Sequence, residues 1–174
     1  MLNYLRVTKF KSISQTLNSF AKEVIIESKK ELQAQGKSNT GALAKSLGYD
    51  LKVNNEGFLL KFLDTRDEPY ADFVDKGVSG VMKKYNTPYK YLAKKPPAGM
   101  LTKWVASKRF QFRDKKGRFL SYKTMGYILS NSIFKKGIKP SLFFTKPFKR
   151  LFEKLPDRMF NEFIVELDDF YSGK

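Results

Sequence analysis

The sequence predicts an α+β fold: a long N-terminal helix, a small antiparallel β-sheet built from hairpins, and a long C-terminal helix packed on one side. Three patterns predict it. Apolar residues at helical spacing open the chain, two short runs alternating apolar with polar residues follow, and a second helical series closes it.

The opening series is Ile13, Leu17, Phe20 and Val24, at intervals of four, three and four residues between Ser12 and Ala34. This spacing puts all four on one face of a helix. Ser12 or Ser14 can cap its start, Glu23, Glu27 and Glu31 follow one another four residues apart, and Gly36 ends it. In SNTGALAKSLGYD, Asn39 or Thr40 can cap a short second helix that Gly48 terminates, with Gly41 allowing tight entry and Leu43 and Leu47 packing on the sheet.

Period-two alternation in YDLKV and FLLKFLD, around the NNEG turn from Asn54 to Gly57, predicts a β-hairpin. EPYADFVDKGVSG then reads as a helical turn or two, with Pro69 in its first turn, Tyr70, Phe73 and Val74 facing inward, and Gly77 at its end. Pro88, Pro96 and Pro97 argue for an exposed loop through TPYKYLAKKPPAG.

MLTKWVASKRF predicts a short helix with Leu101, Trp104 and Val105 on one side, and RFQFRDKKGRFLSY a second hairpin about its DKKG turn. Met125, Ile128, Leu129 and Ile133 restore helical spacing until Gly137 and Pro140. Phe148, Leu151, Leu155, Met159, Phe163, Leu167 and Phe170 then form the closing series, in which Pro156 should kink the helix or split it in two.

With 174 residues and 41% hydrophobic content the chain can bury a core, and 16 Phe, 9 Tyr and one Trp leave aromatic surface for partners. There is no internal repeat and no domain boundary by composition. Cysteine and histidine are both absent, which excludes disulfides, thiolate metal sites and every His-dependent triad. Neither a phosphate-binding GxxxxGK[ST] loop nor a GxGxxG turn is present. We therefore expect no enzyme activity and no cofactor, although Lys or carboxylate chemistry stays open. No signal peptide or stretch of about 20 apolar residues occurs, so the expectation is a soluble chain made in the cytoplasm, with no membrane partner.

The net charge of +17 is concentrated. Lys83 to Arg150 holds 19 Lys or Arg against the single acid Asp114, so this segment carries +18 and the remainder −1. Lys83, Lys84, Lys94, Lys95, Lys115, Lys116 and Arg118 are candidate contacts to a polyanion or an acidic protein.

The motifs TGALAKSL, PYADFVDKG after the hairpin, and SIFKKGIKPSLFFTKPF resemble those of the small neck, or tail-completion, proteins of tailed bacteriophages. In that family a Thr-Gly-x-Leu-x-x-Ser-hydrophobic motif follows a long first helix, matched here by Thr40, Gly41, Leu43, Ser46 and Leu47. A Tyr-Ala-x-Phe-Val-acidic-x-Gly motif follows the hairpin, matched by Tyr70, Ala71, Phe73, Val74, Asp75 and Gly77. The closing pattern is matched by Gly137, Lys139, Pro140 and Phe143. All are structural rather than catalytic positions.

The resemblance implies a single connector domain over 1–174, with a basic, loop-rich insertion at about 78–124 that simpler members lack. It implies a homo-oligomeric ring meeting a portal or adaptor ring and tail proteins, assembled in the host cytoplasm and carried in the virion neck or tail. Non-specific contact with DNA in the channel is a further expectation.

Two other classes stand beside it. The basic segment with Tyr85, Tyr89, Tyr91, Phe110, Phe112, Phe119 and Tyr122 suits a non-enzymatic nucleic-acid-binding protein, stacking rings on bases between phosphate-binding cations. The acids Asp64, Asp67, Glu68, Asp72 and Asp75 would suit a carboxylate-metal nuclease, except that they crowd into one turn beside Arg66 and Lys76.

Overall fold

A computed structural model describes residues 11–36, 41–54, 57–66 and 70–172. Among these the order is α1 (Lys11–Ala34), α2 (Ala42–Ser46), β1 (Leu47–Asn54), β2 (Gly57–Asp64), α3 (Ala71–Lys76), β3 (Val78–Ser79), α4 (Ala98–Lys108), α5 (Tyr122–Lys136), β4 (Gly137–Ile138), α6 (Thr145–Phe152) and α7 (Leu155–Ser172). The chain divides into two compact units, residues 1–69 with 143–174, and residues 70–142. The fold is α+β, with the long helices at both ends and the small antiparallel hairpin that the periodicity predicts.

In the first unit, Leu17, Phe20 and Val24 of α1 meet Leu155 of α7 in a buried cluster. The inward residues of the hairpin, Leu51, Phe58, Leu60 and Phe62, pack against it, as do Phe144, Phe148 and Leu151. Leu51 pairs with Leu60 across the strands and Val53 with Phe58, which is the register that turns this set to one face. Phe20 stands edge-on to Phe62, Phe148 and Phe152 at centroid distances of 6.3, 5.9 and 6.4 Å. Each such pair adds about 0.5–1.5 kcal/mol beyond area burial, so these rings hold the helices to the sheet.

The acidic row along α1 has a tertiary use. Glu23 takes two bonds from Arg158, of 2.9 and 3.0 Å, and Glu27 one of 2.7 Å from Arg150. Lys30 and then Arg150 hold the Glu27 carboxyl below its ordinary pKa. Exposed pairs of this kind contribute little to stability and fix orientation more.

In the second unit α4 and α5 pack against each other around Val105 and Met125, both fully buried. Gly126 permits the close approach, since a methyl there would run into Thr102 and the Ala98 carbonyl. Ser121 caps α5, its side chain accepting from the Thr124 N–H.

Several expectations need correction. Ser12 and Ser14 lie inside α1. Gly48 does not terminate α2, because the chain is already extended at Leu47 and both residues belong to β1, Leu47 opposite Asp64 and Gly48 opposite Leu63. The second hairpin reduces to one bridge, Arg113 to Phe119, around the DKKG turn. Tyr70 and Phe73 are exposed, whereas Asp75 is buried, since α3 is short and turns the other side inward. Trp104 is likewise 43% exposed, leaving Val105 as the α4 core residue. In the closing series α6 and α7 are separate helices with Pro156 in the first turn of α7, and Leu167 lies off the inward face. The proposed caps Asn39 and Thr40, the turn centre 55–56, and Asp67, Glu68 and Pro69 fall outside the described residues.

Candidate functional site

Two of the matched motifs meet in the second unit. β3 pairs antiparallel with β4, Val78 opposite Ile138 and Ser79 opposite Gly137. The Ser141 N–H donates to the carbonyls of Val74 (3.2 Å) and Asp75 (3.0 Å), the Leu142 N–H to Asp75, and the Ser141 hydroxyl to Val74. The Tyr70–Gly77 block is thus closed by the block that begins at Gly137.

Glycine is required in this junction. Gly77 and Gly137 both have φ of +73°. A methyl on Gly137 would strike the Val78 carbonyl, one on Gly77 the Ile138 carbonyl and Pro140, and one on Gly80 the backbone of Lys135 and Gly137. Gly41 and Leu43 belong to the first unit, where Gly41 enters α2 at φ +72° and Leu43 is buried; Ser46 closes α2 by bonding the Leu43 carbonyl. Phe143, fully buried, also belongs to the first unit, while Lys139 is exposed and Pro140 half-buried. Apart from the exposed Lys139, these positions act as backbone closures and core contacts.

Ser79, which no motif singled out, ties the basic loop to this junction. Its backbone bonds Tyr89 and Tyr91, and its hydroxyl donates to the Tyr85 carbonyl while accepting from the Tyr85 N–H. Thr87 bonds the Gly77 carbonyl at 2.9 Å and Ser130 the Pro96 carbonyl at 2.6 Å. The loop is exposed, as its prolines suggest, but it is tethered along its length.

Residues 70–142 carry 17 Lys or Arg against Asp72, Asp75 and Asp114, a net +14 of the chain's +17. Lys83, Lys84, Lys94, Lys95, Lys115, Lys116 and Arg118 are all exposed. They are not equivalent. Lys95 bonds Asn131 at 2.7 Å, Lys84 the Gly80 carbonyl at 2.9 Å, and Lys83 lies 5.5 Å from the centre of the Tyr85 ring. Arg118 is engaged by Asp114 at 2.9 Å, so it offers less charge outward than Lys115 and Lys116 at the turn tip.

The rings divide too. Phe110, Phe112 and Phe119 are 41%, 46% and 60% exposed, Phe110 and Phe112 stand edge-on at 5.0 Å, and the Arg113 guanidinium covers Phe119 at 4.1 Å. Tyr85, Tyr89, Tyr91 and Tyr122 are half-buried, which makes them loop anchors more than stacking surfaces.

The acids described in the nuclease-like stretch sit with cations. Asp64 is bonded by Arg66, and Asp72 by Lys76 at 3.2 Å and by the Tyr89 hydroxyl at 3.1 Å. Asp72 in turn raises the Lys76 pKa. Among the described residues no group of three or more His, Cys, Asp or Glu is placed to hold a metal ion, and no helix is long and apolar enough to cross a membrane.

Comparison with known protein families, curated proteins and solved structures gives no match.

The turn tip has a pH dependence of known sign. Asp114 accepts from the N–H groups of Lys116 (2.8 Å) and Arg118 (2.9 Å), and the Arg118 backbone bond is the main cause holding its carboxyl below the ordinary aspartate range. A depressed folded pKa gives a contribution present above the unfolded value, about 3.9, and lost as pH falls through the folded value. The Lys116 and Arg118 amide resonances should therefore titrate with a midpoint below the ordinary aspartate range, and Asp114→Ala should remove the transition. A midpoint at or above the ordinary value would contradict these bonds.

Proposed function

We propose that this chain is a structural virion protein of a tailed bacteriophage, a ring-forming neck or tail-completion subunit that joins portal or adaptor to tail around the DNA channel. The observation that carries the reading is the closure of the Tyr70–Gly77 block by the Gly137–Leu142 segment. Residues that match the family's motifs, far apart in the chain, serve one shared backbone junction, as structural positions should. The element order agrees, with a long helix, a hairpin and a terminal helix in sequence.

Ring formation needs unlike surfaces on one subunit. The hairpin is a sheet of two strands among the described residues, so each strand presents an edge, and Leu59 and Leu63 stand 49% and 42% exposed on its outer face. Edges of this kind invite augmentation by a neighbour.

Disrupting the gene in its phage should give filled heads and separate tails that do not join, and mass spectrometry should find the chain in intact particles. Normally joined, infectious particles lacking the chain would end this reading. A non-enzymatic nucleic-acid-binding role is the second reading, favoured by the +14 unit with its exposed Phe110, Phe112 and Phe119. It is distinguished by tight binding of the purified chain to DNA with a steep salt dependence.

A further inference from the structure

α7 is apolar on two faces. Leu155, Met159 and Phe163 follow its inward side, buried or half-buried. Phe160, Ile164, Leu167 and Tyr171 form a second stripe at helical spacing, exposed to 64%, 47%, 36% and 81%, with Val165 beside it at 55%. A surface helix of a lone domain needs one apolar stripe, so the second is a surface for something else. Acids accompany it: α7 exposes Asp157, Glu162, Asp168 and Asp169, while Glu166 is half-buried and accepts from the Lys11 N–H, and the cation Arg158 is bonded to Glu23.

The second unit carries the opposite combination. Lys90, Leu92, Lys94, Lys95 and Pro96 line a shallow groove along the basic loop, with Leu92 73% exposed. Its apolar lining sits between lysines, as Ile164, Val165, Leu167 and Tyr171 of α7 sit beside Asp168.

We infer that the outward face of α7 in one copy of this chain docks on the Lys90–Pro96 groove of the next copy, giving a head-to-tail contact between unlike surfaces. The inference rests on the ring-forming reading and names its interface. A second copy is the occupant because each surface supplies both the apolar area and the charge sign that the other lacks, and one chain provides them in equal number. A duplex phosphate backbone would match the lysines but leave Leu92 and the α7 stripe uncovered. Heterologous pairing can repeat from copy to copy, as a ring requires, whereas α7 against α7 would set carboxylates against carboxylates and stop at a dimer.

The chain has no cysteine, so single-cysteine variants report contacts cleanly. Full-length Val165→Cys and Leu92→Cys chains, mixed at low ionic strength with a short bismaleimide, should link to each other, and neither should link efficiently to itself. Raising salt to 1 M, where the Debye length is about 3 Å, should suppress the product. Lys90→Glu with Lys94→Glu, or Asp168→Lys with Asp169→Lys, should each lower the yield about tenfold, and combining the two reversals across the partners should restore it.

Efficient Val165–Val165 linkage, or reversals that do not compensate, would overturn the interface. The neck reading fails separately: a compensating link in a chain absent from virions would retain the interface and reject the neck. Virion joining unaffected by either reversal would reject the interface and retain the neck.

Discussion

On the proposed neck role, particles whose copies of this chain carry Lys94, Lys95, Lys115 and Lys116 all reversed to Glu are expected to fail at head-to-tail joining, with infectious titre falling at least about 100-fold. That factor corresponds to about 2.8 kcal/mol, less than the several kcal/mol that like-charge juxtaposition costs at an interface. The four residues are exposed, and reversing them takes the second unit from +14 to +6. Stability should change little, because surface substitutions of this kind stay within about 0.5 kcal/mol each. The specific losses are both at Lys95, its bond to Asn131 and its approach to the Phe134 ring at 5.8 Å.

The stage at which particles fail identifies the partner. An acidic protein surface, such as α7 of a neighbour, predicts unjoined heads and tails. DNA predicts joined particles with poor retention or ejection, together with a duplex-binding salt slope that falls by about 0.9 for each phosphate no longer neutralised. The protein partner is favoured, since a strongly cationic channel would hold back passing DNA. Joined, infectious particles with normal retention and ejection would reduce the charge to a solubility device.

Legibility in the sequence followed the range of the interactions. The face of α1 that carries Leu17, Phe20 and Val24, the hairpin, and the interruption at Pro156 were readable because each depends on spacing within a few residues. The Arg109–Tyr122 segment misled because alternation is necessary for a ladder but not sufficient, and one bridge is all that forms. In α3 the aromatic residues suggested an inward face, yet Ser141 and Leu142, far along the chain, bond the carbonyls of Val74 and Asp75 and turn Asp75 inward instead. The closing apolar series concealed two stripes on α7. Steps of three and four residues run from Phe163 to Leu167 as readily as from Ile164 to Leu167, and only packing assigns Leu167 outward. Among the candidate contacts, charge density was plain from composition, but the neutralising of Arg118 by Asp114 needed the turn's geometry.

Gly137→Ala is expected to destabilise the second unit by about 3–5 kcal/mol, combining the cost of a side chain at strongly positive φ with that of forcing a methyl into packed backbone. Gly137 has φ +73° and its new Cβ would collide with the Val78 carbonyl across the β3–β4 pair. Gly80→Ala should be comparably harmful for the second reason alone, since its methyl would meet the Lys135 carbonyl and the Gly137 nitrogen. Two glycines in the same unit separate the causes. Gly117 has φ +78° but nothing within 4 Å, so Gly117→Ala should cost only about 1–2 kcal/mol. Gly99, in the first turn of α4 with open space around it, should accept alanine with no loss or a gain of about 0.5–1 kcal/mol. Trp104, the one tryptophan in the sequence, lies in α4 and reports on this unit by its emission. With a urea dependence of about 1–3 kcal/mol per molar, the Gly137→Ala and Gly80→Ala midpoints should fall by more than about 1 M, well beyond that of Gly117→Ala. Equal midpoints for Gly137→Ala and Gly117→Ala would mean that the β3–β4 junction yields to a methyl at little cost, and that the tight closure of the two motif blocks is not what holds this unit together.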